Sequence, residues 1–479
     1  MKYWSFVARP VLRAAQIRSR KVRLVGALRC HATRMSSSFY SALAKSILAA
    51  EMAVDPIVDR AARTLGKRWR WLRPLARRYL ATFVAQHQPR LKDVVRFLIA
   101  DEGIGRARRI YRDKVRIAEW VHAPFQMLPV AAATEWKIPA IETVGGLADW
   151  LSLTPGELEW FADLKRLGAR LGQGKIDSPL SHYHYRILSK NFGSIRVIEA
   201  PKPKLKELQQ KILKEILNNI PSHSAAHGFV AGRSIKTFAS AHVGKCVVLR
   251  MDLKDFFPSI SCARVQAFFR IAGYPEPVAD LLGGICTNAA PRALWSKLPR
   301  GIEPALLGEI RNLYSWRHLP QGAPTSPALA NLCAYRVDCR LQGLADSMGA
   351  AYSRYADDLA FSGDKGFERC VERFATQAAS ILLEEGFNVH HRKTRFMRQG
   401  VRQYLAGVVV NEKLNVVRDD FDRLKAILTN CVRHGADSQN REAHPNFRLH
   451  LAGRVGFVEM VNPAKGVRLR KIFDQIEWE

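Results

Sequence analysis

Two adjacent carboxylates, Asp357 and Asp358, stand between Tyr352-Ser353-Arg354-Tyr355-Ala356 and Leu359-Ala360-Phe361-Ser362. The aromatic and aliphatic flanks favour two short strands, which puts the acids at a tight turn between them. Side chains alternate faces along a strand, but at a turn the alternation breaks, and both acids can reach one pocket. Carboxylates that close repel unless a cation shares them, so a divalent metal is their natural partner. A polar hairpin turn explains the pair equally well, since Asp is a common turn residue. A second acid site upstream tips the balance. Val247-Val248-Leu249-Arg250-Met251 reads as a buried strand running into Asp252, and Asp255 follows three residues on. Asp is depleted in strands and costly to bury unpaired, so Asp252 has no local reason to be there, whereas Asp255 alone fits an ordinary loop or cap. Asp252 with Asp357 and Asp358 can hold two divalent ions about 3.5–4 Å apart, as in-line phosphoryl transfer requires. One ion would activate a sugar hydroxyl and the other would hold a leaving pyrophosphate.

Other elements must position these acids. Leu319-Pro320-Gln321-Gly322-Ala323-Pro324-Thr325-Ser326-Pro327 is a Gly/Pro loop leading into an apolar helix with Leu329, Leu332 and Tyr335. Proline in a first helical turn and free N–H groups at a helix start suit an anion or a base pair. Residues 182–188 and 195–198 alternate as the two arms of a β-hairpin, with Asn191-Phe192-Gly193 near its turn. Lys190, Arg196 and Lys206 fall on or beside it. Singly they are ordinary surface charge; together beside the acids they would clamp a triphosphate. Leu208, Ile212, Ile216 and Ile220 then mark an amphipathic helix.

The composition fits a polyanionic partner. The chain of 479 residues has room for two or three domains, and 75 Lys+Arg against 43 Asp+Glu leave a formal net charge of +32. Such an excess points to nucleic acid or an acidic membrane. No stretch approaches 18 uncharged apolar residues, which argues against a membrane span. The cations are spread through every region, which favours a long nucleic-acid track over a membrane anchor. Eight cysteines form no CxxC pair and read as reduced thiols in a cytoplasmic protein with no membrane partner, not as a disulfide framework or zinc site.

Residues 1–34 form a basic segment, and the first acid of the chain is Glu51. Three readings are open: a mitochondrial presequence, a nucleic-acid-binding arm, or an untranslated stretch ahead of a true start at Met35. The last is preferred, because Met35-Ser36-Ser37-Ser38 resembles a chain beginning and a helix start. Residues 35–177 read as a basic helical extension with apolar spacing at Leu43, Ile47 and Leu48, at Ile57, Ala61 and Leu65, and at Leu91, Val95 and Leu98. Trp69 and Trp71 interleave with Arg70, Arg73, Arg77 and Arg78. That fits an RNA-facing helix and an amphipathic helix with a solvated basic face equally. Thr154-Pro155 with Glu157 predicts a capping box. Residues 171–175 mark a linker, and the main domain is expected from residue 178.

These motifs, in this order, resemble the reverse transcriptases, and among them the bacterial retron-type enzymes. Tyr355-Ala356-Asp357-Asp358 is similar to the family's YxDD motif and Asp252 to its first catalytic acid. The resemblance implies an α+β right-hand polymerase, with fingers and palm over residues 178–415 and a thumb over 416–479, behind the basic helical extension. It implies catalysis by Asp252, Asp357 and Asp358, and two Mg2+ ions (Mn2+ as substitute) held by these acids and Leu253. Nucleotide contacts are implied for Lys190, Arg196, Asp255, Phe256, Phe257, Gln321 and Lys393. Among them Arg196 and Lys190 would grip the triphosphate, Phe257 would exclude a ribose 2′-OH, and Lys393 would protonate the leaving pyrophosphate. RNA or primer contacts are implied for Arg233, His242, Leu405, Gly407, Arg454, Lys465 and Arg468. Residues 403–411 would form the primer-grip hairpin. Phe421, Leu424 and Leu428 read as a core stripe of the thumb.

Retrons in particular are suggested by Ala225-Ala226-His227-Gly228-Phe229-Val230-Ala231-Gly232-Arg233-Ser234-Ile235 and by Ala323-Pro324-Thr325-Ser326-Pro327. Two signatures depart from the pattern. Phe238-Ala239-Ser240-Ala241-His242 stands for NAxxH, and Leu405-Ala406-Gly407 for VTG. Both departures bear on the priming RNA rather than on polymerase chemistry. The resemblance further implies a cognate non-coding RNA as template and primer, dNTPs, a branched DNA–RNA product, a host ribonuclease H, an effector protein and a role in phage defence. Other bacterial reverse transcriptases (abortive-infection, diversity-generating or CRISPR-linked) remain open alternatives. A non-catalytic RNA-binding scaffold is disfavoured by the three intact acids.

Overall fold

A computed structural model of the chain describes residues 38–83, 89–120, 126–165, 181–189, 195–297 and 304–478. The expectations for Lys190, for residues 1–34 and for the linker at 171–175 lie outside these residues. The chain divides into two compact units, one up to residue 125 and one from residue 126. Among the described residues no helix is long and apolar enough to cross a membrane.

The first unit is helical, with helices at Val54–Leu65, Leu72–Phe83, Leu91–Ala100 and Glu102–Tyr111. Their apolar stripes meet in a core that includes Leu43, Ile47, Ile57, Leu72, Leu75, Tyr79, Leu98 and Ile104. Gly66 ends the first of these helices in the left-handed region (φ 67°), and the Asp101 carboxylate caps the last by accepting from the Ile104 N–H. Trp69 and Trp71 pack against this core, with the Trp69 ring 4.8 Å from Tyr111. Arg70, Arg73, Arg77 and Arg78 lie on the outside.

The second unit is built on antiparallel sheets. Strand β1 (Tyr183–Ser189) pairs with β2 (Ile195–Pro201) as the expected hairpin, in register from Tyr183↔Pro201 to Ser189↔Ile195. The main sheet has β3 (Val247–Lys254) at its centre. On one side β3 pairs with β5 (Asp358–Gly363), which pairs with β4 (Ala351–Tyr355). On the other it pairs with β6 (Asn388–Val389) and β7 (Arg395–Arg398). The central strand runs two residues beyond Asp252, because Leu253 and Lys254 find partners in Val389 and Asn388. A last hairpin joins β8 (Tyr404–Leu405) to β9 (Val408–Val409), and three helices follow at Arg418–His434, Phe447–Val461 and Pro463–Phe473.

Period-two alternation gives β3 two different faces. Val247, Leu249, Met251 and Leu253 join the larger core with Phe361, Phe374 and the helices Pro203–Glu215 and Glu276–Ile285. Val248 faces the other way, into the core shared with Ala360, Leu405, Val408, Leu424 and Leu428. Leu208, Ile212, Ile216 and Ile220 are buried as one stripe. The capping box forms, with the Thr154 N–H donating to Glu157 Oε2 at 2.8 Å and the Glu157 N–H to Thr154 Oγ1 at 3.3 Å. The compact units part upstream of the boundary at residue 178 that composition suggests. The reason is packing: Leu147, Leu151, Leu158 and Ala162 share one core with the central strand.

Candidate active site

The second face of β3 carries Val248, then Arg250, then Asp252. Asp252 sits directly opposite Asp358, the first residue of β5, and Asp358 also pairs with Tyr355 across a two-residue turn of Ala356 and Asp357. Ala356 takes φ 55°, a left-handed conformation unusual for a residue with a Cβ. It is held from outside the hairpin. Residues 225–227 run beside β4, with the Arg354 N–H donating to the Ala225 carbonyl and the His227 N–H to the Arg354 carbonyl, both at 2.7 Å. Gly228 then lies against the turn so closely that a Cβ would come 2.6 Å from the Ala356 nitrogen. The Leu253 N–H donates to the Asp357 carbonyl at 2.9 Å, tying the turn to the central strand.

Two cations attend the acids. Arg250 donates to Asp358 through Nε at 3.0 Å and Nη2 at 2.7 Å. Lys393, in the short helical turn His391–Lys393, donates to both oxygens of Asp252 at 2.9 and 3.1 Å. Burial raises the pKa of Asp357, and the carboxylates of Asp252 and Asp358 raise it further. Burial also raises Asp358, against the pull of Arg250. Asp357 thus feels both other acids and has no bound cation of its own among the residues that shift it, apart from the field of Lys393. Among the described residues no group of three His, Cys, Asp or Glu side chains is set as a ready-made metal cage. The donor set nonetheless fits Mg2+ or Mn2+: it is all carboxylate oxygen, and its mutual repulsion is what a hard divalent cation relieves.

Around this centre the expected contacts divide into three groups. Phe257 is half-buried, its ring 6.1 Å from the exposed Phe229. Asp255 adopts φ 50° at the start of the turn that carries Phe257, and Arg196 is exposed on β2. Gln321 lies on the loop before the helix Ser326–Cys333, and its Oε1 is out of solvent without a hydrogen-bond partner among the described residues. Away from the acids, Gly407 (φ 93°) and Arg454 line one cavity of about 380 Å³ with Phe421 and Phe457. Lys465, its ammonium 4.7 Å from the Phe421 ring, lines a neighbouring cavity of about 520 Å³ with Arg402 and Arg418. Arg468 is exposed on the last helix.

Three expected contacts need correction. His242 is fully buried, with Nδ1 2.7 Å from Ser362 Oγ and Nε2 2.7 Å from Ser353 Oγ. It braces β4 and β5 from beneath and presents nothing to RNA. Leu405 is likewise interior. Phe256 packs on Phe387 (5.6 Å) in the large core, because the turn after β3 sends one aromatic inward and the next outward. Arg233, half-buried, gives Nη1 to the carbonyls of Ser224 and Ala226, bracing the segment that supports the hairpin, and its expected RNA contact is not contradicted. Leu253 has a buried side chain, so only its backbone can face a metal.

Sequence reasoning passed over Arg250, Asn331 and Asp338. Arg250 was findable, since alternation puts it on the same strand face as Asp252. Asp338 and Asn331 meet Arg354 only through packing.

An acid on a central antiparallel strand, opposite an Asp-Asp hairpin, on a sheet backed by helices defines the palm of a right-hand polymerase. Residues 187–410 match the reverse transcriptase (RNA-dependent DNA polymerase) family. The chain is 42% identical over 297 residues to the retron Mx65 reverse transcriptase of Myxococcus xanthus, covering 60% of this chain and 64% of that one. It is 36% identical over 343 residues to the Mx162 enzyme of the same organism, covering 68% and 65%. To the retron Ec86 reverse transcriptase of Escherichia coli it is 32% identical over 284 residues, covering 59% and 77%. The chain belongs to the bacterial retron-type reverse transcriptases. It spans just under two thirds of the length of the two Myxococcus relatives.

Proposed function

We propose that the protein is an RNA-directed DNA polymerase of retron type. In this reading it is a cytoplasmic enzyme that copies part of a cognate non-coding RNA into a short single-stranded DNA, primed from a 2′-OH of that RNA and used in phage defence. The observation that carries the reading is the convergence of Asp252, Asp357 and Asp358 at one strand pair, with Asp357 held on a turn braced from three sides.

Two Mg2+ ions bound by the three acids would supply Lewis-acid activation of the primer hydroxyl and charge neutralisation at the leaving pyrophosphate. The chain's own residues do the rest. Asp252 and Asp358 face each other across the β3–β5 ladder, so backbone pairing sets their separation. Asp357 points from a turn whose neighbour Ala356 is strained, which fixes its direction. Lys393 is within hydrogen-bond distance of Asp252, poised to release it and to donate a proton to the leaving pyrophosphate. Arg196, exposed on β2, and Lys190 would grip the triphosphate. Phe257, half-buried, would close the site against a 2′-OH. Arg454, Lys465 and Arg468 would follow the product backbone, and Gly407 would let it approach the β8–β9 turn. The DNA–RNA product would call on a host ribonuclease H for template removal.

The test is the double variant D357N/D358N on an RNA template with a DNA primer. It should lose dNTP incorporation while binding the same RNA as wild type. Continued incorporation would sink the assignment. The retron reading is tested by expressing the gene with its flanking DNA and treating co-purified nucleic acid with ribonuclease and debranching enzyme. A discrete DNA released by debranching is expected; heterogeneous or protein-linked DNA would overturn the cognate-RNA reading.

A further inference from the structure

Gln321 rests on a buried glutamate. The Glu199 N–H donates to the Gln321 carbonyl at 2.8 Å. The next residue, Gly322 (φ 129°), lies so near that a Cβ would come 3.0 Å from the Glu199 carbonyl oxygen. The Glu199 side chain is fully buried on β2. One carboxylate oxygen accepts from Asn288 Nδ2 at 2.8 Å; the other lies 2.8 Å from His318 Nε2. His318 is buried as well, and its Nδ1 lies 2.7 Å from the Trp316 carbonyl oxygen.

That arrangement demands a proton. A carbonyl and an ionised carboxylate only accept, and a neutral imidazole has one N–H to offer. Both bonds form together only when His318 and Glu199 share one proton more than neutral imidazole and carboxylate carry. Burial alone would strip a charge from His318, but the Glu199 carboxylate and the two bonds prevail and hold its pKa above the usual histidine value. The other groups facing His318 do not take over this role. The Tyr314 ring meets it edge-on at 5.0 Å. Arg317 donates to the carbonyls of Asp163, Gly284 and Thr287. The Tyr185 hydroxyl accepts from Asn288. His318 and Asn288 also exchange backbone hydrogen bonds of 2.9 and 3.0 Å. Residues 318–321 are therefore fastened to Glu199 at both ends: by side chain at His318 and by backbone at Gln321. At the second anchor, Gln321 Oε1 is a buried acceptor whose donor the described residues do not supply.

We propose that Glu199 and His318 are positioning residues for the incoming nucleotide: their shared proton locks the loop that carries Gln321 to that nucleotide. This rests on reading Gln321 as a nucleotide contact. The lock acts on nucleotide affinity and leaves the acids untouched. It predicts a split between KM and kcat and a pH dependence confined to KM. As pH rises through the raised pKa of His318 the shared proton is lost, the loop loosens and KM climbs.

The experiment uses the full chain on poly(rA)/oligo(dT), with dTTP varied between pH 6 and 8.5 for wild type, H318Q, E199Q and E199Q/H318Q. Glutamine approximates the size but cannot carry the charge. H318Q and E199Q/H318Q should show a dTTP KM about tenfold higher or more at pH 6.5, with kcat changed far less and KM flat with pH, whereas E199Q, whose amide can donate to a neutral His318, should keep a low KM that no longer rises with pH. Wild type should show KM rising toward alkaline pH. A wild-type KM that is flat with pH overturns the proposal, as does H318Q with wild-type KM. Melting curves show whether each variant folds. If these do not, N288A removes the donor to the other carboxylate oxygen, together with its bond to the Tyr185 hydroxyl, and should raise KM in the same direction; an unchanged KM overturns the proposal. D357N/D358N runs alongside. If it still incorporates dTTP, the polymerase site assignment falls; if it is inactive while H318Q keeps wild-type KM, only the lock falls.

Discussion

Replacing Asp338 by Asn strips the counter-charge from Arg354, a guanidinium buried completely beneath the Asp-Asp hairpin. Arg354 donates to Asp338 through Nε at 2.8 Å and Nη2 at 2.6 Å. Its Nη1 reaches Asn331 Oδ1 at 2.9 Å and the Ala356 carbonyl at 3.2 Å. Tyr352 donates its hydroxyl to the same carboxylate at 2.7 Å, and Asn331 donates to the Gly228 carbonyl at 2.8 Å. The network thus braces Ala356, the left-handed residue just before Asp357. Removing one partner of such a buried pair costs about 3–5 kcal/mol, because the other charge is left without compensation. At roughly 2–4 °C per kcal/mol for a large domain, D338N should melt about 6–20 °C below wild type in a calorimetric scan. D338N/R354M removes both charges and should recover part of that loss, ending nearer wild type than either single variant. Incorporation assayed well below the melting point should fall in D338N, because Asp357 loses its support. A D338N melt within about 2 °C of wild type, or a double variant as damaged as the sum of the singles, would refute the bracing argument.

The other expectations concern charge and pH. Asp357 is held above the ordinary carboxylate range by burial and by Asp252 and Asp358, so the folded state binds protons that the unfolded state releases above about pH 3.9. Stability therefore falls as pH rises through that window, and in chelator at pH 7 D357N should melt higher than wild type. Added Mg2+ should raise the wild-type melt and barely move the variant; equal shifts would contradict a shared metal site. Burial pushes His242 down to about 3, so the neutral ring is the folded form. Its contribution is complete above the unfolded pKa of about 6.5 and is lost as pH falls from there toward 3. H242A should lose roughly 2–4 kcal/mol of stability at neutral pH from the two hydroxyl bonds and the cavity, with RNA affinity unchanged in the folded variant. Reduced RNA affinity without loss of stability would restore a contact role for His242.

Much of the fold was legible because local chemistry wrote it. Alternation marked β1, β2 and the Asp-Asp hairpin, and the Thr154/Glu157 box formed as its residue types required. The three acids could be picked out because buried carboxylates have few structural excuses. Misreadings arose where a motif's position was taken for exposure. His242 and Leu405 keep family positions yet serve the interior, and Phe256 and Phe257 differ in role by one residue.

The sequence by itself determined the strands, the turn that carries Asp357 and Asp358, and the family to which these motifs belong. Tertiary structure alone decided which charge meets which. Arg250 and Asp358 are 108 residues apart, Lys393 and Asp252 141, and His318 and Glu199 119. Residue spacing encodes which side chains share a strand face or cap a helix, because those geometries repeat within a few residues. Pairings across a hundred residues follow from how the elements pack, and burial then sets whether each group keeps its proton.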